Sequence, residues 1–167
     1  VVDGNGITES SGAGATETPF DPNLSFAQAG FRITDGTGNP INIANQTAAV
    51  TSAMYALQAI RTDTSTGACV GVFATGADVS VDLAFQCNDP IACQPGQLVS
   101  LTNNSVTGTI AANPNAGVTS YTNRTLRFGP NSEALFTVSY PDVGRISLHA
   151  RHNIVLGTGA PSGNFMT

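Results

Sequence analysis

The chain has 167 residues, about the length of one domain, and only 10% of them are charged. Its six cationic residues are all Arg and its net charge is −5, which excludes the dense cationic surface of a nucleic-acid-binding protein. No apolar run approaches the roughly 18–20 residues that span a bilayer, and abundant Gly, Ser, Thr and Asn disfavour a helical domain. Composition therefore favours a β-rich, secreted domain.

Both ends of the chain have the small, polar composition that is typical of linkers. We expect an N-terminal extension or linker at 1–24, one β-sandwich domain at 25–155 and a C-terminal linker or tail at 156–167. We also expect the chain to be a piece of a longer protein or the mature form of a secreted one.

The first predicted element is a β-hairpin. Alternating residues at 25–33 place Phe31 and Ile33 on one face, and a second alternating stretch follows at 41–44. The stretch between them, 35–40, consists almost entirely of turn-forming residues. We therefore expect the two stretches to pair with each other around a loop of about six residues.

The segments that follow are also predicted as strands. The apolar spacing at 54–61 fits a helix or a strand, and we assign a strand because its neighbours are strands. The clearest strand is 79–87, because every second residue from Val79 to Cys87 is apolar. Further strands are predicted at 69–73, 98–101, 108–111, 124–128, 134–140 and 145–151.

This series of elements predicts an all-β fold. About eight to ten short strands, separated by turn residues at spacings of about 8–12 residues, are typical of a β-sandwich. We therefore expect an immunoglobulin-like Greek-key β-sandwich, and a jelly roll is the alternative.

The three cysteines allow one disulfide bond. Cys87 and Cys93 enclose a five-residue loop, which can bring their Cα atoms within the ~4.4–6.8 Å that a bridge requires. We favour this pairing, which leaves Cys69 free and buried, or paired with a segment outside the chain. A bridge from Cys69 to Cys87 or Cys93 is the alternative. The spacing of the three residues matches no zinc site.

No residue pattern in the chain predicts catalysis. His149 and His152 are the only histidines, and residues three apart in a strand point to opposite faces. We expect both side chains to be solvated or to cap the strand end. The Gly-x-Ser-x-Gly elbow of serine hydrolases is also missing from the sequence. We therefore predict that the protein is not an enzyme and has no catalytic residues.

Two short stretches resemble fragments of calcium-binding loops. One contains Asp3 and Asn5, and the other contains Asp35 and Asn39. Neither provides the full set of spaced ligands that a calcium loop needs, so we predict turns there, with no metal and no cofactor. A carbohydrate- or calcium-binding module of a surface adhesin is the alternative function.

Several motifs taken together resemble a known bacterial family. They lie at 29–35, 57–69, 86–93, 126–128 and 136–151. In this order they resemble the domain of unknown function found in the Q protein of mannose-sensitive haemagglutinin (MSHA) pilus biogenesis, a type IV pilus system. The resemblance implies an exported Gram-negative protein and a structural role for Cys87 and Cys93, and it carries over no catalytic residue. The sequence departs from the family pattern where Asp89 stands between Asn88 and Pro90.

We therefore expect a non-catalytic structural or adhesive module of a type IV pilus-associated or cell-surface assembly. A surface with little charge and many Thr and Asn residues suits broad contacts with protein partners. Other copies of the chain are candidate partners, and we expect uncovered edge strands to provide the contact by pairing between molecules.

Overall fold

The computed structural model describes residues 29–63, 65–156 and 160–164, and after His152 it describes the backbone alone. Almost every regular element of these residues is a β-strand, and a single 3₁₀ turn lies at Pro130–Ser132. The strands are β1 (Ala29–Thr34), β2 (Tyr55–Thr62), β3 (Cys69–Gly71), β4 (Asp78–Asp89), β5 (Ser100–Asn103), β6 (Val106–Thr109), β7 (Ala111–Asn113), β8 (Thr122–Arg127), β9 (Glu133–Ser139), β10 (Arg145–Arg151), β11 (Asn153–Leu156) and β12 (Ala160–Asn164).

The strands form two main sheets. The six-stranded sheet has the order β1-β2-β9-β5-β6, and β3 pairs with β2. The four-stranded sheet has the order β10-β4-β7, with β8 also paired to β4, while β11 and β12 pair with each other. The β4–β7 pairing is parallel, and the other pairings of the main sheets are antiparallel. This arrangement confirms the predicted immunoglobulin-like β-sandwich.

The core lies between the two sheets and is organised around β4. Val81, Leu83 and Phe85 are buried and alternate along this strand, as the sequence predicted. They pack against apolar residues of the opposite sheet, including Leu57 and Phe136. Because β4 is paired along both edges, its register is held by β10 on one side and by β7 and β8 on the other.

Strand β2 explains why the sequence at 54–61 was ambiguous. Its residues from Tyr55 to Ala59 are all buried, although successive side chains point to opposite faces of the sheet. On the outer face the Gln58 side chain accepts a hydrogen bond from Arg32 Nε (2.6 Å) and donates one to the Asn131 carbonyl (2.9 Å). A strand covered on both faces loses the alternation that normally identifies it.

The predicted hairpin between 25–33 and 41–44 is wrong. Strand β1 pairs along its length with β2, and 41–44 forms no strand. An isolated bridge between Thr34 and Pro40 joins the two stretches, and the Ile41 N–H donates to the Ile33 carbonyl at 3.0 Å. The pairing stops there, and Ile41 and Ile43 pack against the core from a loop. The local turn signal was therefore correct, but no second strand follows it.

The predicted strand at 108–111 is divided between the two sheets. β6 ends at Thr109 in one sheet, and β7 begins at Ala111 in the other. Ile110 lies between them and is buried, and its N–H donates to the Val99 carbonyl (3.0 Å). The buried side chain of Ile110 therefore lies where the chain crosses from one sheet to the other. For this reason a stretch that the sequence presents as one strand is divided between two strands, β6 and β7.

The buried amide of Asn103 connects the two sheets. Its Nδ2 donates to the Leu135 carbonyl of the six-stranded sheet at 2.8 Å. Its Oδ1 accepts from the Arg127 N–H of the four-stranded sheet at 2.7 Å. One side chain thus satisfies backbone groups of both sheets where two strands do not pair.

The described chain enters and leaves the sandwich at the same end. The turn at 141–144 reverses the chain between β9 and β10. β10 therefore ends at the same end of the sandwich at which β9 begins. β1 also begins there, because β1 and β9 are both antiparallel to β2. The loops at the opposite end, 44–54, 88–99, 113–121 and 140–144, are called the distal loop end below.

Candidate interaction site at the distal loop end

A disulfide bond closes the central loop of the distal end. Cys87, near the end of β4, is joined to Cys93, and their Cα atoms are 5.4 Å apart. This is the pairing that the sequence analysis favoured. The peptide bond between Asp89 and Pro90 within the loop is cis. The short loop that carries Ile91 is therefore anchored at both of its ends.

The disulfide loop is braced by its two neighbours. The Asn115 N–H donates to the Ile91 carbonyl at 2.9 Å, and Gln86 Nε2 donates to the Pro114 carbonyl at 3.3 Å. On the other side Gly144, at φ +137°, lies so close to the Asp89 carbonyl that any side chain would collide with it. Three separate loops are thus held against one another.

A buried asparagine shapes the loop at 113–121. Asn113 Oδ1 accepts hydrogen bonds from the backbone N–H groups of Thr119 (3.0 Å) and Ser120 (2.9 Å). Its Nδ2 donates to the Ser120 carbonyl at 2.9 Å. These bonds replace the strand partners that the loop backbone lacks, so the loop keeps a defined shape without pairing.

The loop at 44–54 is attached to the end of β9. The Ala49 N–H donates to the Tyr140 carbonyl at 2.7 Å, and the Ser52 N–H donates to the Val138 carbonyl at 2.8 Å. Ser52 Oγ in turn accepts from the Val138 N–H at 3.0 Å. This fourth loop therefore borders the turn at 141–144.

Exposed apolar side chains concentrate at this end. Six large apolar residues of the described chain are exposed, and four of them lie on or beside the distal loops: Val50, Met54, Ile91 and Val143. The most exposed are Ile91 (70%) and Val143 (73%), which flank the contact between Gly144 and Asp89. Single exposed apolar residues are ordinary, but a cluster on braced loops is typical of a binding surface.

Three charged residues lie on or beside the same loops. Asp142 precedes Val143, and its Oδ1 accepts from the Val143 N–H at 2.8 Å. Asp89 and Arg145 are directly opposite each other in the β4–β10 register, and both are exposed. Among the described residues the ion pairs are Arg127–Asp78 and Arg151–Asp82, so none of these three residues forms an ion pair with a described group. Two carboxylates and one guanidinium therefore border the exposed apolar residues.

A family model described as "Domain of unknown function (DUF6701), first Ig-like domain" matches residues 13–167. The chain belongs to this family. No curated protein and no solved structure matches it significantly. The description of this family as an Ig-like domain agrees with the observed fold, and it names no activity.

Cys69 lies outside the distal loop end of this DUF6701 domain. It begins the short strand β3 and is exposed, so the prediction that a free Cys69 would be buried is wrong. Strand β3 is only three residues long, and both of its terminal residues lie at the surface. With Cys87 and Cys93 bonded to each other, Cys69 is a free thiol.

The two histidines occupy different surroundings. His152 Nδ1 lies 2.8 Å from the Ser80 carbonyl, which is the capping role predicted for it. His149 is half-buried, and its Nε2 is enclosed with no hydrogen-bond partner among the described residues. The prediction of a solvated or capping side chain is therefore wrong for His149. Desolvation lowers its pKa below the ordinary 6.5, because burial disfavours the charged ring.

The candidate calcium ligand Asp35 is used within its own turn. Its Oδ1 accepts from the Thr37 N–H at 2.8 Å, and its Oδ2 accepts from Asn39 Nδ2 at 3.0 Å. Bonds from the Thr37 hydroxyl and from Asn39 lower the pKa of Asp35 to about 2. Within the described ranges no group of three or more metal-ligating side chains occurs. The other candidates, Asp3 and Asn5, lie outside the described residues.

The outer face of the four-stranded sheet bears on the alternative of carbohydrate binding. The Arg151 guanidinium lies 3.8 Å from the centre of the Tyr121 ring, and Arg151 Nε donates to Asp82 at 3.1 Å. Asn123 donates to Asp82 at 2.8 Å and accepts from Ser80 Oγ at 2.7 Å. The bond from Asn123 is the main cause that lowers the pKa of Asp82. These groups thus bond to one another across the three strands β4, β8 and β10.

The exposure of Ile91 and Val143 was not predicted from the sequence. A signal was present, because both are large apolar residues inside turn segments: Ile91 follows Pro90, and Val143 stands between Asp142 and Gly144. Turn residues are usually small or polar, so an apolar residue there is exposed unless a neighbouring loop covers it.

None of the described residues forms a helix with the length and apolar character needed to span a bilayer.

Proposed function

We propose that this Ig-like domain is a non-catalytic structural or adhesive module of an exported, type IV pilus-associated or cell-surface bacterial protein. Its distal loop end is the surface that contacts a protein partner. The observation that carries the proposal is the cluster of Val50, Met54, Ile91 and Val143 on braced loops, at the end opposite to chain entry and exit.

Two observations support export. The Cys87–Cys93 disulfide is stable in oxidising compartments such as the periplasm and the cell surface, and such bonds are rare in the cytosol. The motifs around both cysteines also resemble the domain of a pilus biogenesis protein. That resemblance supports placing the module in a type IV pilus system.

The shape of the site supports a protein partner over a small ligand. Small-molecule sites are concave and enclose most of the ligand. The exposed apolar residues here project from loops, and a cavity between the sheets has a volume of about 20 Å³, lined by His149 and by apolar residues such as Leu57 and Leu83. That volume holds about one water molecule. Projecting apolar side chains instead suit insertion into the surface of another protein.

The edge of the sheet at β1 bears on the alternative contact by strand pairing. Beside β1, the bridge between Thr34 and Pro40 occupies one end of the strand. An edge strand that is occupied in this way resists pairing with another molecule. The expected contact through an uncovered edge therefore gains less support at β1 than a contact through the distal loop end.

The partner surface is tested in the bacterium that carries the gene. We expect the double substitution Ile91→Asp/Val143→Asp to lower the amount of the protein in surface assemblies sheared from intact cells by about tenfold or more, because charges at the centre of an apolar contact must be desolvated. Val106→Asp is the matched control, since Val106 is 60% exposed but lies on β6. Equal recovery of the double variant and the wild type would contradict the proposal.

Export is tested with the exposed thiol of Cys69. A membrane-impermeant maleimide added to intact cells is expected to label the wild-type protein, and Cys69→Ser is expected to abolish the label. Labelling that occurs after cell lysis and not before would contradict a location at the cell surface.

A further inference from the structure

The disulfide bond at the distal loop end joins two sulfur atoms in unlike surroundings. We propose that this bond is a site of thiol–disulfide exchange with a dithiol reductant, in which Cys93 is the sulfur attacked and Cys87 is the sulfur that leaves. Reduction frees the loop that carries Ile91 and thereby switches off the partner contact; this last step rests on the proposed function.

The two cysteines differ in their access from solvent. Cys87 is 2% exposed and belongs to the core. Cys93 is half-buried, and its neighbours Ala92 and Gln94 are both exposed. The rate of exchange depends on which sulfur an incoming thiolate reaches. Access therefore directs the attack to Cys93.

The polar groups beside the sulfurs favour the same direction. The Tyr140 hydroxyl lies 3.9 Å from Cys87 Sγ and is the donor of this contact, because a disulfide sulfur carries no proton. Burial, and after it the charge of Asp142, raise the pKa of Tyr140, so the hydroxyl keeps its proton. Beside Cys93 Sγ lies the Asn113 carbonyl oxygen, at 3.3 Å. A donor stabilises a thiolate and a carbonyl oxygen repels one, so the negative charge leaves on Cys87.

The exchange proceeds in two balanced steps. A thiolate of the dithiol bonds to Cys93 Sγ, the Cys87–Cys93 bond breaks, and its electron pair goes to Cys87 Sγ, which then takes a proton from water. The second thiolate of the dithiol attacks the sulfur of its own molecule in this mixed disulfide, and Cys93 leaves and is protonated in turn. The dithiol loses two electrons and becomes a disulfide, and the protein disulfide gains two.

Reduction removes one of the few bonds that hold the loop at 90–98. Among the described residues, the backbone hydrogen bond that joins this loop to another runs from the Asn115 N–H to the Ile91 carbonyl (2.9 Å). The bond from the Gln97 N–H to the Gln94 carbonyl (3.1 Å) lies within the loop itself. A segment with so few bonds opens locally while the sheets stay folded.

The direction of exchange is tested on purified protein that carries Cys69→Ser, because the two remaining cysteines are then those of the disulfide. Reduced glutathione is the probe, and mass spectrometry after rapid alkylation locates the adduct. We expect glutathione on Cys93 and the alkylated thiol on Cys87, with the opposite pattern about tenfold rarer or less. An equal mixture, glutathione mainly on Cys87, or no adduct would overturn the proposal.

The role of the Tyr140 hydroxyl is tested in the same background by the rate of reduction with dithiothreitol. Tyr140→Phe is expected to slow reduction about fivefold, because the leaving thiolate of Cys87 loses its donor. Tyr55→Phe is the matched control, since the Tyr55 hydroxyl accepts from Gln46 Nε2 (3.1 Å) instead, and we expect an unchanged rate. Equal rates for both variants would overturn the role of Tyr140. Should Tyr140→Phe fail to fold by circular dichroism, the position of the glutathione adduct decides.

Opening of the loop is measured by amide hydrogen exchange. On reduction the Asn115 amide, which donates to Ile91, is expected to exchange about tenfold faster or more. The Ile110 amide, which donates to the Val99 carbonyl at 3.0 Å, is the control and is expected to stay protected. Equal acceleration at both amides, or none at Asn115, would overturn the switch.

A comparison in cells separates the switch from the proposed function. Cys87→Ser/Cys93→Ser removes the bond permanently and is expected to lower recovery in surface assemblies about tenfold. Asn103→Ala, which is expected to lose similar stability outside the distal loops, is the control and is expected to be recovered like the wild type. If the Ser variant is recovered fully while Ile91→Asp/Val143→Asp is not, the switch fails and the proposed function stands. If both are recovered fully, the proposed function fails, and the glutathione adduct alone decides whether exchange occurs at Cys93.

Discussion

The guanidinium of Arg124 lies against the Cα of Gly108, where any side chain would collide with it. Gly108 belongs to β6, the edge strand of one sheet, and Arg124 reaches it from β8 of the other. The contact joins the two sheets at their margin, because the guanidinium lies over the face of the edge strand. A glycine, which normally weakens a strand, is the residue that leaves space for it.

The first prediction is a coupling between these two residues. In an Arg124→Ala background, Gly108→Ala is expected to stabilise the protein by about 0.5–1 kcal/mol, since alanine restricts the unfolded chain more than glycine does. With Arg124 present the same substitution expels the guanidinium, so the gain is lost. Urea unfolding of the wild type, both single variants and the double variant measures the coupling. Equal effects of Gly108→Ala in both backgrounds would contradict the contact.

The second prediction concerns the amide that links the sheets. Asn103→Ala leaves the Arg127 N–H and the Leu135 carbonyl without their partner, and we expect a loss of about 2 kcal/mol in the free energy of unfolding. Asn123→Ala is the control, because Asn123 is exposed and water replaces its bonds; we expect less than about 1 kcal/mol. Denaturant titration compares the two, and similar losses would argue against a special role for Asn103.

The third prediction concerns the disulfide bond. Replacing Cys87 and Cys93 together by Ala is expected to destabilise the domain by about 2 kcal/mol, because a short closed loop restricts the unfolded chain. Cys69→Ser is the control, since Cys69 is exposed and unbonded. Without reductant the control protein is expected to have the same free energy of unfolding as the wild type. With reductant both are expected to lose about the same amount. A wild type whose free energy of unfolding does not change with reductant would show that the bond contributes nothing.

The fourth prediction follows from the enclosed ring of His149. Because the folded state lowers its pKa below 6.5, the unfolded state binds a proton first, and stability falls as the pH drops below about 6.5. His149→Gln is expected to remove this loss, and His152→Gln is expected to keep it. Measurements between pH 7.5 and 5 stay above the range in which Asp35 titrates. An NMR titration that placed the pKa of His149 at or above 6.5 would contradict the burial.

The sequence predicted the fold class well because alternation is a local signal. Strand β4 shows it clearly, since one face meets the core along most of its length. The partner of β1 was not predictable in the same way. A turn at 35–40 is encoded locally, but pairing with β2 depends on which backbone groups meet in the folded sheet. The local signal therefore predicted a hairpin, of which the turn and one bridge form in the described residues.

The candidate site was predictable in part. The cysteine spacing pointed to the loop between Cys87 and Cys93, because a short loop constrains its ends. The convergence of this loop with the turn at 141–144 was not visible, since it depends on the β4–β10 register that places Arg145 opposite Asp89. Ile91 and Val143 lie on the two loops that this register brings together, and the sequence alone does not show that these loops meet.

Site-specific photocrosslinking in intact cells tests the central claim most directly. A photoreactive amino acid is placed at Ile91 or Val143 of the distal loop end, or at the control position Val106 on β6, which is also exposed. The account predicts protein adducts from positions 91 and 143 and none from position 106. Adducts from position 106 with none from positions 91 and 143 would contradict the claim that the distal loop end is the interaction surface of this domain.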